Sequence, residues 1–152
     1  MSTASDTIVV EVPVATAYSQ WAKAESYPQF MTGVESVFTI DDTHQHWHMS
    51  LAGIQRDFDV EVTDQRRNAH IAWTSIGELH QRGRVDFTPL SDGETQITLT
   101  LDWTPAGFAE SLGSAVQLDD ALVRRDLMRF KELVEDIEGD GEVPEHVTPA
   151  AF

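Results

Sequence analysis

The 152-residue chain contains no cysteine. Disulfides, thiolate zinc sites and cysteine nucleophiles are excluded, and the expected compartment is the reducing cytoplasm. Positive charge is scarce. Ten basic residues, of which only Lys23 and Lys131 are lysine, face 26 acidic ones, for a formal net charge of -16. Such a surface repels phosphate backbones and anionic membranes, so nucleic acid is not an expected partner. No apolar run approaches the ~20 residues of a membrane-spanning helix. The opening MSTASD lacks the basic-then-apolar layout of a secretory signal. There is no G-x-S-x-G, no Gly-rich phosphate loop, no H-E-x-x-H, no internal repeat and no low-complexity tract. No catalytic residue can be named on such grounds, and no cofactor is expected.

What is present is a chain that changes hydrophobic period twice. Thr7–Val12 (TIVVEV) predicts a strand, with Met1–Asp6 before it expected to fray. Pro13 suits a first helical turn, and Val14, Ala17, Tyr18 and Trp21 follow at helical spacing. Ser26 with Gln29 predicts a capping box for a second short helix that Gly33 stops. Six strands are then predicted, at about 33–41, 44–52, 54–64, 69–76, 80–89 and 94–104, separated by turn-forming pairs such as Ala52-Gly53 and Arg67-Asn68. A long helix follows, capped by Ser114 and Gln117 and ended by Gly139, with Val123, Leu127, Phe130, Val134 and Ile137 forming one stripe. Residues 1–138 read as one domain and 139–152 as a flexible acidic tail.

Strand side chains alternate faces, and here the alternation separates polar from apolar. In HQHWHMSL (44–51), His44, His46, His48 and Ser50 share one side, and Trp47, Met49 and Leu51 the other. If Ala52-Gly53 closes a tight hairpin, His48 faces Asp57, His46 faces Asp59 and His44 faces Glu61. Cross-strand pairs of opposite charge contribute about 0.2–1 kcal/mol each and raise the imidazole pKa values. This solvated face is the expected reading. A metal site is the competing one, and it suffers because His44 and His48 lie ~13 Å apart at ~3.3 Å per residue. No metal is therefore assigned.

The opposite face gathers Trp47, Phe58, Trp73, Phe87, Leu99, Leu101 and Trp103, with Phe38 expected beside them and Trp21 on the first helix. Arg56 shares the phase of Phe58 and Val60. An arginine on an apolar face needs a partner: an acid or solvent at the strand end, or a polar group on a ligand. Arg82 with Asp102, and Asp120 with Arg124, are expected salt-bridge pairs. Ser75 and Tyr18 are expected at the core or its rim.

The element order, the stretch SYPQFMTGVESV (26–37) after VPVATAYSQWAKA (12–24), and the ending RRDLMRFKELVEDIE (124–138) resemble the START-like polyketide cyclase/dehydrase superfamily, which includes a coenzyme Q-binding branch. HWHMSLAG, RDFDVEVTDQ, HIAWTS and GRVDFTPL add to the likeness. The resemblance implies an α+β helix-grip fold: a curved seven-stranded antiparallel sheet wrapped around a long C-terminal helix, with two short helices after the first strand. It implies an apolar cavity that holds a lipid, quinone or polyketide-like molecule. The expected ligand-binding residues are Trp47, Met49, Leu51, Arg56, Phe58, Trp73, Phe87, Leu99 and Leu101. Two alternatives stand beside a binding or carrier role. One is an aromatase/cyclase acting on a poly-β-ketone. The other is an interaction protein whose acidic face or tail docks a basic partner.

Overall fold

A computed structural model describes residues 2–51, 54–77, 81–103 and 120–142. Seven strands form one antiparallel sheet: β1 (Ser2–Val10), β2 (Val34–Thr39), β3 (His44–Leu51), β4 (Ile54–Arg66), β5 (His70–Ile76), β6 (Gln81–Ser91) and β7 (Glu94–Trp103). Their spatial order is β1-β7-β6-β5-β4-β3-β2, so β1 and β2 are the two edges. Helix α1 (Val14–Trp21) and a short 3₁₀ helix (Ala24–Gln29) follow β1, and the long helix α2 (Asp120–Glu142) closes the described fold. This is the helix-grip arrangement that the sequence resemblance implies.

The period-2 pattern explains the layering. Val60, Ile71, Trp73, Val85, Phe87, Ile97 and Leu99 are all buried on one side of the sheet. Val123, Leu127, Phe130 and Val134 supply the matching stripe of α2, each fully buried. Register shifts at Val34/Ser36, Val62/Asp64 and Pro89/Ser91 interrupt the ladders. Such bulges bend a strand and increase its twist, which lets the sheet curl over the helix.

Several expectations are corrected. β1 begins at Ser2, not Thr7. Its outer face is a polar ladder on β7, in which Thr3 Oγ1 donates to Asp102 at 2.8 Å, and Ser5 and Thr7 meet Thr100 and Thr98 at 3.2 and 2.9 Å. Hydroxyl pairs and a buried Ala4 thus hold a segment that has little apolar content. Phe38 is 64% exposed. The shift between Val34 and Ser36 resets the parity of β2, so Val34 and Val37 face inward and Phe38 faces out. Ser26 does not accept a capping bond; its hydroxyl donates to the Lys23 carbonyl at 2.7 Å. Gly33, at φ 87°, does turn the chain out of this segment.

α2 runs past Gly139 to Glu142. Its expected caps, Ser114 and Gln117, lie outside the described residues. Arg82 pairs with Asp102 at 3.6 Å as expected, whereas Arg124 reaches Asp6 of β1 at 3.0 Å. Of the charged side chains, Asp126 alone is buried among the described residues, and it accepts the Thr32 N–H at 3.1 Å and the Thr32 hydroxyl at 2.5 Å.

Candidate functional site

The inward face of the sheet brings together most of the residues expected to line a ligand site. Trp47 and Met49 of β3, Phe58 of β4, Trp73 of β5, Phe87 of β6, and Leu99 and Leu101 of β7 are all buried. The side chain of Leu51 lies outside the described part of the molecule. Two aromatic groups occupy the space beneath the helices. Trp47 is central to one, with Tyr27, Phe58 and Trp73 at ring-centroid distances of 5.6, 6.0 and 6.3 Å. Trp21 is central to the other, with Phe130, Phe30 and Phe87 at 4.7, 4.9 and 6.3 Å. Tilted and edge-on contacts of this kind are favourable for ring quadrupoles. Burial pushes the Tyr27 phenol well above its ordinary pKa, so it stays neutral.

Arg56 is placed differently from its apolar neighbours. It lies opposite Met49 in the ladder, near the β3–β4 hairpin, but its side chain is exposed and Nη1 donates to the Gln55 carbonyl at 2.8 Å. Position near the strand end accounts for this, because a guanidinium there reaches water without crossing the core.

The inward polar groups that sequence reasoning missed are indoles and amides. The Nε1 atoms of Trp21 and Trp73 are buried and, among the described residues, have no hydrogen-bond partner. Trp73 lies directly over Gly83, its cross-strand neighbour: a Cβ at position 83 would come within 2.3 Å of the ring. Gly83 falls at an inward position, in phase with Val85 and Phe87, and that break in an apolar run was the available signal. Ser75 and Gln81 share this side, and the Gln81 N–H donates to Ser75 Oγ at 2.9 Å.

A cleft of ≈ 220 Å³ opens at the other end of the same face. Its walls include Tyr27, Gln45, Val62, Gln65 and Ile71, with Asp41 and Asp42 at the rim. Trp47 Nε1 donates to Gln45 Oε1 at 2.9 Å, and Gln65 Nε2 donates to the Tyr18 hydroxyl at 2.8 Å. None of the nine expected residues lines this cleft.

The outer face carries the histidine row in the register expected for it: His44, His46 and His48 oppose Glu61, Asp59 and Asp57. His46 Nδ1 meets Asp59 at 2.8 Å, and His48 is bracketed by Asp57 and by Glu35 at 3.1 Å. The hydrogen bond to Asp57 raises the His48 pKa, and the same bond lowers that of Asp57. Each imidazole takes a carboxylate partner, and among the described residues no group of three or more such side chains is arranged to hold a metal ion. No helix among the described residues is long and apolar enough to cross a membrane.

Comparison with known proteins adds to this geometry. Residues 10–132 match the model of a family described as polyketide cyclase / dehydrase and lipid transport. An uncharacterized 17.2 kDa protein from the melC2-rnhH intergenic region of Streptomyces lincolnensis is 39% identical over 137 residues, which cover 90% of this chain and 91% of that protein. Among solved structures, a START superfamily protein from Mycobacterium smegmatis aligns with a TM-score of 0.70 at 17% identity, covering 89% of this chain and 98% of the other. The Zhui aromatase/cyclase from Streptomyces sp. R1128 aligns with a TM-score of 0.66 at 19% identity, covering 93% and 95% of the two chains. At these identities the structural likenesses establish the fold.

Proposed function

The chain belongs to the polyketide cyclase / dehydrase and lipid transport family, and from that premise we propose that it binds or carries a hydrophobic small molecule of the lipid, quinone or polyketide type between its sheet and its C-terminal helix. The observation that carries this reading is the inward face itself. Trp47, Met49, Phe58, Trp73, Leu99 and Leu101 put aromatic and aliphatic side chains on one side of the sheet, and the buried indole N–H of Trp73 has no acceptor among the described residues. A few hundred Å² of apolar ligand surface, at ~25 cal/mol per Å², approaches the roughly 8 kcal/mol of a micromolar complex. Ligand sites of this type are mostly apolar, with a few placed polar groups.

The likeness to an aromatase/cyclase supports a second reading, ring closure of a poly-β-ketone. Such a reaction calls for an acid or base facing the substrate. Among the described residues the buried ionisable side chains are Asp126, whose carboxylate is engaged by Thr32, Tyr18, whose hydroxyl accepts from Gln65, and Tyr27, whose phenol is kept protonated by burial. Carriage is therefore the better supported role.

The test is a panel of quinones, polyketide-like ketones and long-chain lipids, read by tryptophan fluorescence and thermal shift, with native mass spectrometry of gently purified protein to identify what travels with it. Binding in the micromolar range with no chemical change in the ligand is the expected result. Silence across the panel would overturn the binding reading, and a cyclised product would move the assignment to catalysis.

A further inference from the structure

We infer that Trp73 selects the ligand's chemistry: its indole N–H is a hydrogen-bond donor for a neutral carbonyl oxygen, and the interior discriminates against carboxylates. This rests on the binding reading above. Three observations converge on it. First, Trp73 is 4% exposed and its Nε1 has no partner among the described residues. A buried donor without an acceptor costs about 1–3 kcal/mol and calls for a reason. Trp21 Nε1 is also unpaired, but Phe30, Phe87 and Phe130 wall it in at 4.7–6.3 Å, so its cost belongs to packing. Trp73 instead shares its side of the sheet with the polar groups of Ser75 and Gln81.

Second, Gly83 holds the indole in place. The ring fills the space a side chain at 83 would take, with Nε1 only 2.8 Å from an added Cβ. The donor is thus fixed in direction by the sheet beneath it, and a fixed donor loses less entropy when an acceptor arrives.

Third, all ten basic residues are accounted for, and none faces the interior. Nine are exposed, and Lys131 is half-buried at the rim, where its ammonium holds the Val9 carbonyl and Glu135. A carboxylate drawn into this interior would lose its hydration with no lysine or arginine to replace it. The net charge of -16 acts against it from a distance as well. A neutral ketone or quinone oxygen meets neither obstacle and satisfies the indole.

Three probes of one shape separate these effects: 2-methylnaphthalene, its 1,4-quinone and 2-naphthoate, followed by equilibrium dialysis at neutral pH on the full chain and on Trp73→Phe, with circular dichroism to confirm folding. In the unaltered protein the quinone is expected to bind about tenfold tighter than the hydrocarbon, with naphthoate weakest. Trp73→Phe removes the quinone's advantage over the hydrocarbon, so that the two bind alike, whatever apolar contact both lose with the indole. Should the variant fail to fold, the indole ¹⁵N–¹H spectrum of the unaltered protein decides: quinone, and not hydrocarbon, must move one of the four indole signals downfield. Equal binding of hydrocarbon and quinone, or naphthoate binding as well as the quinone, overturns the inference while the binding reading stands. Failure of all three to bind overturns both.

Discussion

The carboxylate of Asp126, on α2, receives both the backbone N–H and the hydroxyl of Thr32, on the segment that leads into β2. The contact spans 94 positions of sequence. It fastens the long helix to the side of the fold that carries the edge strand. Asp126→Ala would strip two donors of their acceptor, and a loss of about 2 kcal/mol is expected from the urea unfolding midpoint. Thr32→Ala should destabilise less, and the double variant should lose less than the sum, because the two residues share one interaction. Additive losses would show that the contact does not hold the helix.

The outer-face pair His48–Asp57 makes stability depend on pH in a defined window. His48 is raised by its bond to Asp57, so its contribution is fully present below the ordinary histidine value and is lost as pH rises through the raised one. Asp57 is lowered by the same bond, so its contribution is present above the ordinary carboxylate value and is lost as pH falls through the lowered one. NMR titration should show His48 titrating at higher pH than in Asp57→Asn, with Glu35 left to hold part of the shift. An unchanged His48 titration would break the assignment.

Asp126 runs the other way. Burial raises its pKa against the opposing hydrogen bonds from Thr32, so its contribution is present at low pH and is lost as pH rises through the raised value. Replacing it with Asn should therefore remove the fall in stability that Asp126 contributes as pH rises from the ordinary carboxylate range through its raised value, and leave the slope below that range unchanged. A pH–urea series on the two proteins checks this.

Gly83→Ala places a methyl group within 2.3 Å of the Trp73 ring, which must rotate or lift. Overpacking of this kind costs about 1–3 kcal/mol. Near-ultraviolet circular dichroism should change with it, since an indole leaves its seat. Unaltered stability would mean that Trp73 is held by something other than the glycine.

Arg56→Ala is expected to leave stability within about 0.5 kcal/mol, as for other exposed positions. Ligand affinity should be unchanged too, because the guanidinium lies on the Gln55 carbonyl at the outside of the hairpin. A tenfold loss of affinity would restore arginine as a polar anchor.

The strands and their faces were legible because a period of two, repeated over β3 to β7, leaves little choice of side. The facing of His48 with Asp57 followed from one assumption about the Ala52-Gly53 turn, and the register agrees. Phe38 was misassigned because a register shift inverts every side chain beyond it, and no residue in VESVFT announces one. Ser2–Asp6 looked unfit for a strand because the polar partners of Thr3 and Ser5, Asp102 and Thr100, are almost a hundred residues away. Arg56 had the right parity, but parity does not say where along a strand cover ends. Trp73's lone donor was illegible for a different reason. A sequence shows that an indole faces inward, whereas an unmet hydrogen bond is a property of the assembled neighbours.

α2 is fastened along both margins of the sheet. On one, Arg124 meets Asp6, Lys131 meets the Val9 carbonyl, and Glu135 accepts the Glu11 N–H at 2.7 Å. On the other stands Asp126 with Thr32. The helix is therefore a tie-rod between two free borders, and the curl of the sheet is under its control. Slackening either fastening would let the arch relax outward while every rung between neighbouring strands stayed intact, so admission of a guest need not begin with any strand coming apart.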